Sequence, residues 1–416
     1  MKAISFLGKT RYTPTTYVYD GQEYETRFFP VALVRFLKPE KLLVFVTPTV
    51  RDHENMVELG EELGLLGVNW EEVVIPEGHN ESDLWRIFDR LTESVADGES
   101  VIFDITHSFR SLPMLVFLAV AYLKAAKYVE VEKVLYGAWE ARDEESNRSP
   151  VFDLTPFTAL LDWLTATSRF VETGDGHSLS KLLKEGMPSG VQMGTDLEAR
   201  TLGHSLKSVA QAIDSTSLAL RITRPLETMQ SANHMVIELD EAMPAILQRA
   251  KPFGILAEQM KQAYGQFALD NPTGDEALKD GLMRQLAMID WYLKRRQVVQ
   301  AVTLAREWIV SLLAFNFNAS MFDYEGTRRQ VEYALNNAVE RRKDDPHIKR
   351  ESRFDKRIEK LPQIDSLCGV WSRMTSLRND IAHAGMRSNA RTASRLVQNA
   401  KDLYPHLESL ASELLD

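Results

Sequence analysis

Cysteine occurs once in the 416 residues, at Cys368. A single thiol has no partner for an internal disulfide and rules out a zinc site built from cysteines; it also suits a reducing cytoplasm. Long apolar runs are scarce. The most apolar stretch, 112–126, is interrupted by Pro113 and carries Lys124, and it is shorter than the roughly 20 residues a spanning helix needs. The opening MKAISFLGKT shows no secretory cleavage pattern. The expectation is a cytoplasmic chain without membrane contact. Phosphate fingerprints are missing too. No GxGxxG occurs in the first 155 residues, and the Gly8-Lys9-Thr10 triplet has Ala3 where a Walker A loop requires its first glycine. ATP hydrolysis and NAD binding are therefore unsupported. Nor is there an excess of positive charge. A formal charge of −10 argues against stable DNA binding or non-specific coating of nucleic acid, which phosphate neutralisation drives. RNA contact should be brief and confined to a cleft.

Hydrophobic residues at 44% beside 26% charged ones are those of a folded chain. Its length exceeds one ordinary core, so two or three domains are expected. The first 155 residues alternate apolar strands with amphipathic helices. Strands are expected at 3–7, 42–46, 72–75, 101–105 and 133–136, and helices at 30–37, 54–63, 83–95 and 112–126. That alternation predicts a mainly parallel, Rossmann-like α/β sheet covered on both faces, with ligands at the carboxyl ends of its strands. After Asp153 strand signals vanish and 3.6-residue periodicity dominates, giving an all-α region. Helices are expected at 156–170, 278–294, 297–315, 367–383 and 392–415, with Gly- and Pro-broken helices between 178 and 274. A charged stretch fills 340–360. No fixed-period repeat is present.

Two strand-end loops carry chemistry in the first part. Gly8-Lys9-Thr10-Arg11-Tyr12 follows the first strand. Asp104 to Pro113, DITHSFRSLP, contains a turn at 106–108, a helix N-cap at Ser111 and a first-turn proline. Free N–H groups at a helix start, beside Arg110 and His107, suit an anion. Lys9 and Arg11 add charge, and Thr47 and Thr49 at another strand end add hydroxyls. The residues alone leave a second reading open, in which Ser111 only caps the helix, Arg110 pairs with Asp104 and His107 is a structural hydrogen-bonding residue.

In the last part, Leu377-Arg378-Asn379-Asp380-Ile381-Ala382-His383-Ala384-Gly385 lies in an apolar helical pattern, with Gly385 suited to end the helix. Asn379 and His383 are i,i+4 neighbours on one face, and Arg378 sits roughly 140° around from His383. Arg378 must therefore reach around or meet a second copy. A second Arg-x4-His, at Arg342 and His347, contains Pro346 and dense charge and reads as a decoy. The ordinary alternative is that Arg378 pairs with Asp380 while His383 caps the helix. Arg387 and Glu307 are weaker candidates, for RNA affinity and for positioning Arg378. No other histidines show a close metal spacing, so no metal and no cofactor are expected.

The strand followed by D-x-T-H-x-F-R-S-L-P, with the opening Gly-Lys-Thr-Arg-Tyr loop, resembles the CARF domain of CRISPR-associated CARF–HEPN ribonucleases of type III systems. The Arg378-Asn379…His383 element, and the helix 291–308 before it, resemble the HEPN domain of the same family. The resemblance implies a CARF domain at 1–170 and a HEPN ribonuclease bundle at 276–416, with a helical intermediate region at 171–275. It places Gly8, Lys9, Thr10, Arg11, Thr106, His107, Phe109, Arg110 and Ser111 near a cyclic oligoadenylate activator. Cyclic tetra-adenylate is the first expectation and cyclic hexa-adenylate the second. It implies a homodimer, or an assembly of dimers, whose paired Arg378, Asn379 and His383 cut single-stranded RNA without a metal in antiviral defence. In that chemistry the 2′-hydroxyl attacks the adjacent phosphate, histidine moves the proton and the guanidinium holds the phosphorane oxygens. Two rival functions remain: a CARF regulator whose HEPN domain only dimerises, and a ring nuclease that uses Thr10, Thr49 or His107 to degrade its activator.

Overall fold

A computed structural model of the chain describes residues 1–107, 112–249, 251–386 and 388–415. The chain divides into two compact units, Met1–Asp162 and Trp163–Asp416.

The first unit runs β1 (Lys2–Phe6), β2 (Thr15–Tyr19), β3 (Gln22–Thr26), α1 (Phe29–Leu37), β4 (Lys41–Val46), α2 (Pro48–Arg51), α3 (Glu54–Leu66), β5 (Trp70–Val74), α4 (Glu81–Glu93), β6 (Ser100–Asp104), α5 (Leu112–Lys127), β7 (Glu130–Gly137) and β8 (Arg148–Asp153), then enters α6 (Thr155–Thr173). One eight-stranded sheet has the order β3-β2-β8-β7-β6-β1-β4-β5. The five strands β7-β6-β1-β4-β5 run parallel, while the β7–β8 and β2–β3 pairs are antiparallel. Among these five, β1, β4 and β6 are buried on both faces, as parallel strands read by near-continuous apolar runs should be. Along β4, Leu42, Val44 and Val46 pack on the side of α1 and α3, and Leu43 and Phe45 on the side of α4 and α5. The chain order leaves β1 for β4 and β5 on one side, then returns to β6 and β7 on the other. The mouth between the ends of β1 and β6 is thus a topological switch point, where open α/β sheets bind ligands.

Three strands exceed the sequence expectation: β2, β3 and β8. The β2–β3 hairpin turns on Asp20 and Gly21, with φ of 48° and 74°. Positive φ at both central residues is the requirement of a type I′ turn, which Asp-Gly meets best. β8 carries Pro150 and extends the sheet through parallel pairing with β2.

The second unit completes α6 and continues as α7 (His177–Glu185), α8 (Gly190–Thr195), α9 (Leu197–Arg221), α10 (Pro225–Arg249), α11 (Lys251–Gly265), α12 (Leu278–Lys294), α13 (Val298–Asn316), α14 (Arg329–Glu340), α15 (Asp355–Ile358), α16 (Ile364–Ala382) and α17 (Ala393–Leu414). A π-helical turn, Tyr324–Arg328, leads into α14. Helices on both sides of residue 275 contribute to one buried cluster running from Ala166 to Leu415. Tyr292 on α12 donates to the Leu220 carbonyl of α9 at 2.7 Å, and Trp308 on α13 donates to the Leu282 carbonyl at 2.8 Å. Both aromatic rings are thereby buried with their polar ends satisfied. Helix α13, rather than 112–126, is long and apolar enough by length and composition to cross a membrane; 61% of its apolar window is buried within the unit. It is a core helix here, touching α12, α16 and α17.

Candidate functional site

At the switch point lies a cavity of about 580 Å³, lined by the Gly8–Thr13 loop, Thr106 and His107, and by Tyr136 and Gly137 at the end of β7. The loop is held from below. Asn55 on α3 donates to the carbonyls of Gly8 and Thr10 at 2.9 and 3.0 Å, and the Gly8 N–H donates to the Tyr12 hydroxyl at 2.9 Å. A Cβ at Gly8 would stand 2.9 Å from that hydroxyl, so the approach requires glycine. Burial pushes the Tyr12 phenol up to about 12. Lys9 and Arg11 are exposed and have no acidic partner among the described residues, leaving two free cations at the rim. Arg27, which also lines the cavity, is paired with Glu58 at 2.6 Å.

The opposite wall is anchored by Asp104, which is fully buried at the end of β6. It accepts from the Ser5 hydroxyl of β1 and from the Thr106 N–H at 2.8 Å. Burial drives its carboxyl up to about 6 against these hydrogen bonds. Thr106 Oγ1 accepts from the Gly137 N–H at 2.8 Å, tying the ends of β6 and β7 together. His107 lies against Tyr12, with ring centroids 4.1 Å apart. Its Nε2 accepts from the Phe29 N–H at 3.1 Å, so its proton sits on Nδ1. Desolvation pushes His107 down to about 3. It is therefore a neutral donor at cellular pH and an unsuitable general base.

The structure brings Gly8, Lys9, Thr10, Arg11, Thr106 and His107 around one cavity. Thr47 and Thr49 lie elsewhere. Their hydroxyls are 3.1 Å apart, and Thr49 donates through its N–H and hydroxyl to Glu77 at 3.0 and 3.1 Å. Phe109, Arg110 and Ser111 lie outside the described residues, as does Arg387. Asp104 is occupied by Ser5 and Thr106. Reading the sequence missed Tyr17, Arg27, Tyr136 and Trp139. Trp139 carries the Arg142 guanidinium 4.0 Å from its ring centre, a cation–π contact.

At the other candidate centre, Arg378 and His383 are exposed and Asn379 is half-buried on α16. His383 is the residue after the last helical one, and its N–H still reaches the Asn379 carbonyl at 3.1 Å. The i,i+4 relation between Asn379 and His383 thus persists through the helix end. Ala384 and Gly385 then take φ of 51° and 71°, turning the chain away. Arg378 touches Asn379 Oδ1 at 3.4 Å and has no acidic partner among the described residues. Asp380 is not its partner. That carboxylate is buried and accepts from the Arg391 N–H and guanidinium at 3.2 and 3.0 Å. Glu307 does not reach Arg378 either; it pairs with Arg306 and Arg328, each at 2.7 Å. Arg342 is paired with Asp365 at 2.8 Å, and the exposed His347 with Asp345 at 3.4 Å. Among the described residues no cluster of three or more His, Cys, Asp or Glu side chains is arranged to hold a metal ion.

Comparison with known proteins bears on the first unit. Residues 2–140 match the family model described as CRISPR system endoribonuclease Csx1, CARF domain. The chain is also similar to the CRISPR-associated protein MJ1674 of Methanocaldococcus jannaschii, at 27% identity over 148 residues. That alignment covers 35% of this chain and 21% of the relative, so the chain matches about a fifth of the length of that protein. The family-model match contains both loops of the switch-point cavity, so the first unit is similar to a CARF domain of CRISPR-associated proteins.

Proposed function

We propose that the chain is a cyclic oligoadenylate-activated endoribonuclease of type III CRISPR defence, working as a homodimer. Activator is sensed in residues 1–170, RNA is cut by a HEPN domain in 276–416, and the helices of 171–275 lie between them in sequence. The observation that carries the reading is the state of Arg378: an exposed guanidinium with no carboxylate to neutralise it among the described residues, one residue from Asn379 and within a turn and a half of His383. The Arg378 guanidinium is open to an anion. Two copies of α16 facing each other would double that charge around one phosphodiester, the isologous arrangement most homodimers use.

In the cleavage step the RNA 2′-oxygen bonds to phosphorus and the bond to the 5′-oxygen breaks. His383 transfers the proton, Arg378 neutralises the phosphorane oxygens and Asn379 orients either group. The products are a 2′,3′-cyclic phosphate and a 5′-hydroxyl. Self-association has support in the first unit. Met114, Leu118 and Tyr122 are 73%, 58% and 50% exposed and fall at i, i+4 and i+8 along α5. An apolar stripe of that kind marks a protein interface.

The ring-nuclease alternative loses its histidine, because the Nε2 lone pair of His107 is held by Phe29. Product analysis tests the main reading. A labelled oligoribonucleotide should yield cyclic-phosphate ends in the presence of a chelator. The same oligonucleotide with a single 2′-deoxy residue at the cut position should stay intact. Cleavage of the deoxy substrate would overturn the mechanism.

A further inference from the structure

The helical unit contains a second cleft, of about 520 Å³, that neither candidate centre uses. Pockets that take small organic ligands range over roughly 300–1,000 Å³. The cleft lies between the start of α10, the middle of α12 and α13, and the π-helical turn before α14. Arg224, Gln285, Glu307, Phe322, Tyr324 and Arg328 define it.

Gln285 is the telling residue. It is 7% exposed, yet its amide makes no hydrogen bond to any described residue. Gln285 lines the cleft, so an amide with no partner among the described residues is left for a ligand to engage with both its donor and its acceptor. An amide presents one donor beside one acceptor, the complement of a nucleobase edge. Phe322 and Tyr324, at the mouth, are 49% and 64% exposed; solvent-facing rings are platforms on which unstacked bases of single-stranded RNA lie. Arg224 is exposed and has no acidic partner among the described residues, which leaves it free for a phosphate. The wall opposite is rigid. Arg328 donates to the Ser311 hydroxyl at 2.8 Å, the Met321 carbonyl at 2.9 Å and the Glu307 carboxylate at 2.7 Å. It emerges from a π-helical turn, a rare geometry found disproportionately at functional sites.

We propose that this cleft is a nucleotide subsite that receives one unstacked base of the RNA substrate, read by the Gln285 amide and stacked on Phe322 and Tyr324. The choice of RNA rests on the ribonuclease reading above; the cleft itself does not depend on cleavage.

Photo-crosslinking of the full chain tests it. The probe is a 2′-O-methyl oligonucleotide carrying 4-thiouridine, which cannot be cut by 2′-hydroxyl attack, with 4-thiouridine monophosphate as the free-nucleotide arm. The oligonucleotide should crosslink to the peptide containing Phe322 and Tyr324, and Gln285→Met should reduce the yield at least fivefold. Gln285→Met should unfold at much the same temperature, because the amide makes no hydrogen bond within the described residues for the change to break. Should it fail to fold, the exposed double replacement Phe322→Ala, Tyr324→Ala serves instead, with the same loss expected. Equal yield in the variant, or crosslinks confined to α16 and α17, would overturn the subsite. Capture of the monophosphate but not of the oligonucleotide would overturn RNA as its source. An inactive protein that still crosslinks at the cleft would count against the ribonuclease reading alone.

Discussion

The backbone N–H of Phe29, at the first turn of α1, donates to Nε2 of His107 across 3.1 Å. A residue that sequence alone presents as a candidate acid–base group is thereby turned into a neutral strut between two sides of the switch-point cavity. Its folded-state pKa is pushed by desolvation from the ordinary 6.5 to about 3. The folded form thus disfavours the proton, and the stabilisation is present above about pH 6.5 and lost as pH falls toward 3. Urea unfolding of the wild type against His107→Gln should show the wild-type advantage shrinking across that window. Activator affinity between pH 6.5 and 8 should not track a histidine titration.

Asp104 should behave with the opposite sign. Its carboxyl is raised from 3.8 to about 6 by burial, so the folded state holds the proton more tightly than the unfolded chain. The contribution is fully present below about pH 3.8 and disappears as pH rises through about 6. Each tenfold gain in proton affinity corresponds to about 1.4 kcal/mol, so up to roughly 3 kcal/mol is involved. In Asp104→Asn that component of the pH dependence should be absent, as measured by denaturant midpoints from pH 4 to 7.

Arg378 and His383 are exposed and unpaired by acids among the described residues, so their replacement should leave stability within about 0.5 kcal/mol. Arg378→Ala and His383→Ala should nonetheless each reduce RNA cleavage by about 10²- to 10⁴-fold, the usual range for positioned acid–base help or lost charge stabilisation. Parallel melting curves and single-turnover cleavage assays check both halves of the prediction. A variant that melts early and cleaves poorly would not support a catalytic role.

Asp380 should give the reverse pattern. Its buried carboxylate holds the end of the segment preceding α17 through Arg391. Charge-assisted hydrogen bonds of this kind contribute about 2 kcal/mol. Asp380→Ala should lower the unfolding free energy by about that amount, and Arg391→Ala should show strong coupling to it in a double-mutant cycle.

How far the sequence reveals this molecule follows from the range of each interaction. The parallel centre is legible because β1, β4 and β6 are near-continuous apolar runs, and the helices because their apolar positions recur at 3.6 residues. The β2–β3 hairpin was legible in principle: Asp20-Gly21 between Thr-Thr-Tyr-Val-Tyr and Gln-Glu-Tyr-Glu-Thr is a type I′ signal. β8 was not, since Pro150 and its short polar flanks become a strand only by pairing with β2 and β7. The same distinction applies to the cavity. Its two loops stand at strand ends and can be read locally. Tyr17 and Arg27 arrive through the hairpin, Tyr136 and Trp139 through β7, and no local pattern announces them. On α16 the Arg-Asn-x3-His spacing is local, whereas the Asp380–Arg391 pair joins residues eleven apart across a turn.

The α5 stripe makes the dimer testable. Leu118→Glu places a charge in the middle of the exposed Met114–Leu118–Tyr122 row, where no folded-state packing is disturbed. Light scattering should show a monomer, with the melting temperature of the first unit little changed. Activated RNA cleavage should fall by about a hundredfold or more, because a composite centre needs two copies.

The most direct test of the central claim is cleavage of a fluorescent single-stranded RNA by the full chain, with a chelator present, across cyclic oligoadenylates of three to six units. Robust turnover with one ring, cyclic tetra-adenylate foremost, and its loss in His383→Ala is the expected result. No turnover with any ring, or undiminished turnover in His383→Ala, would contradict it.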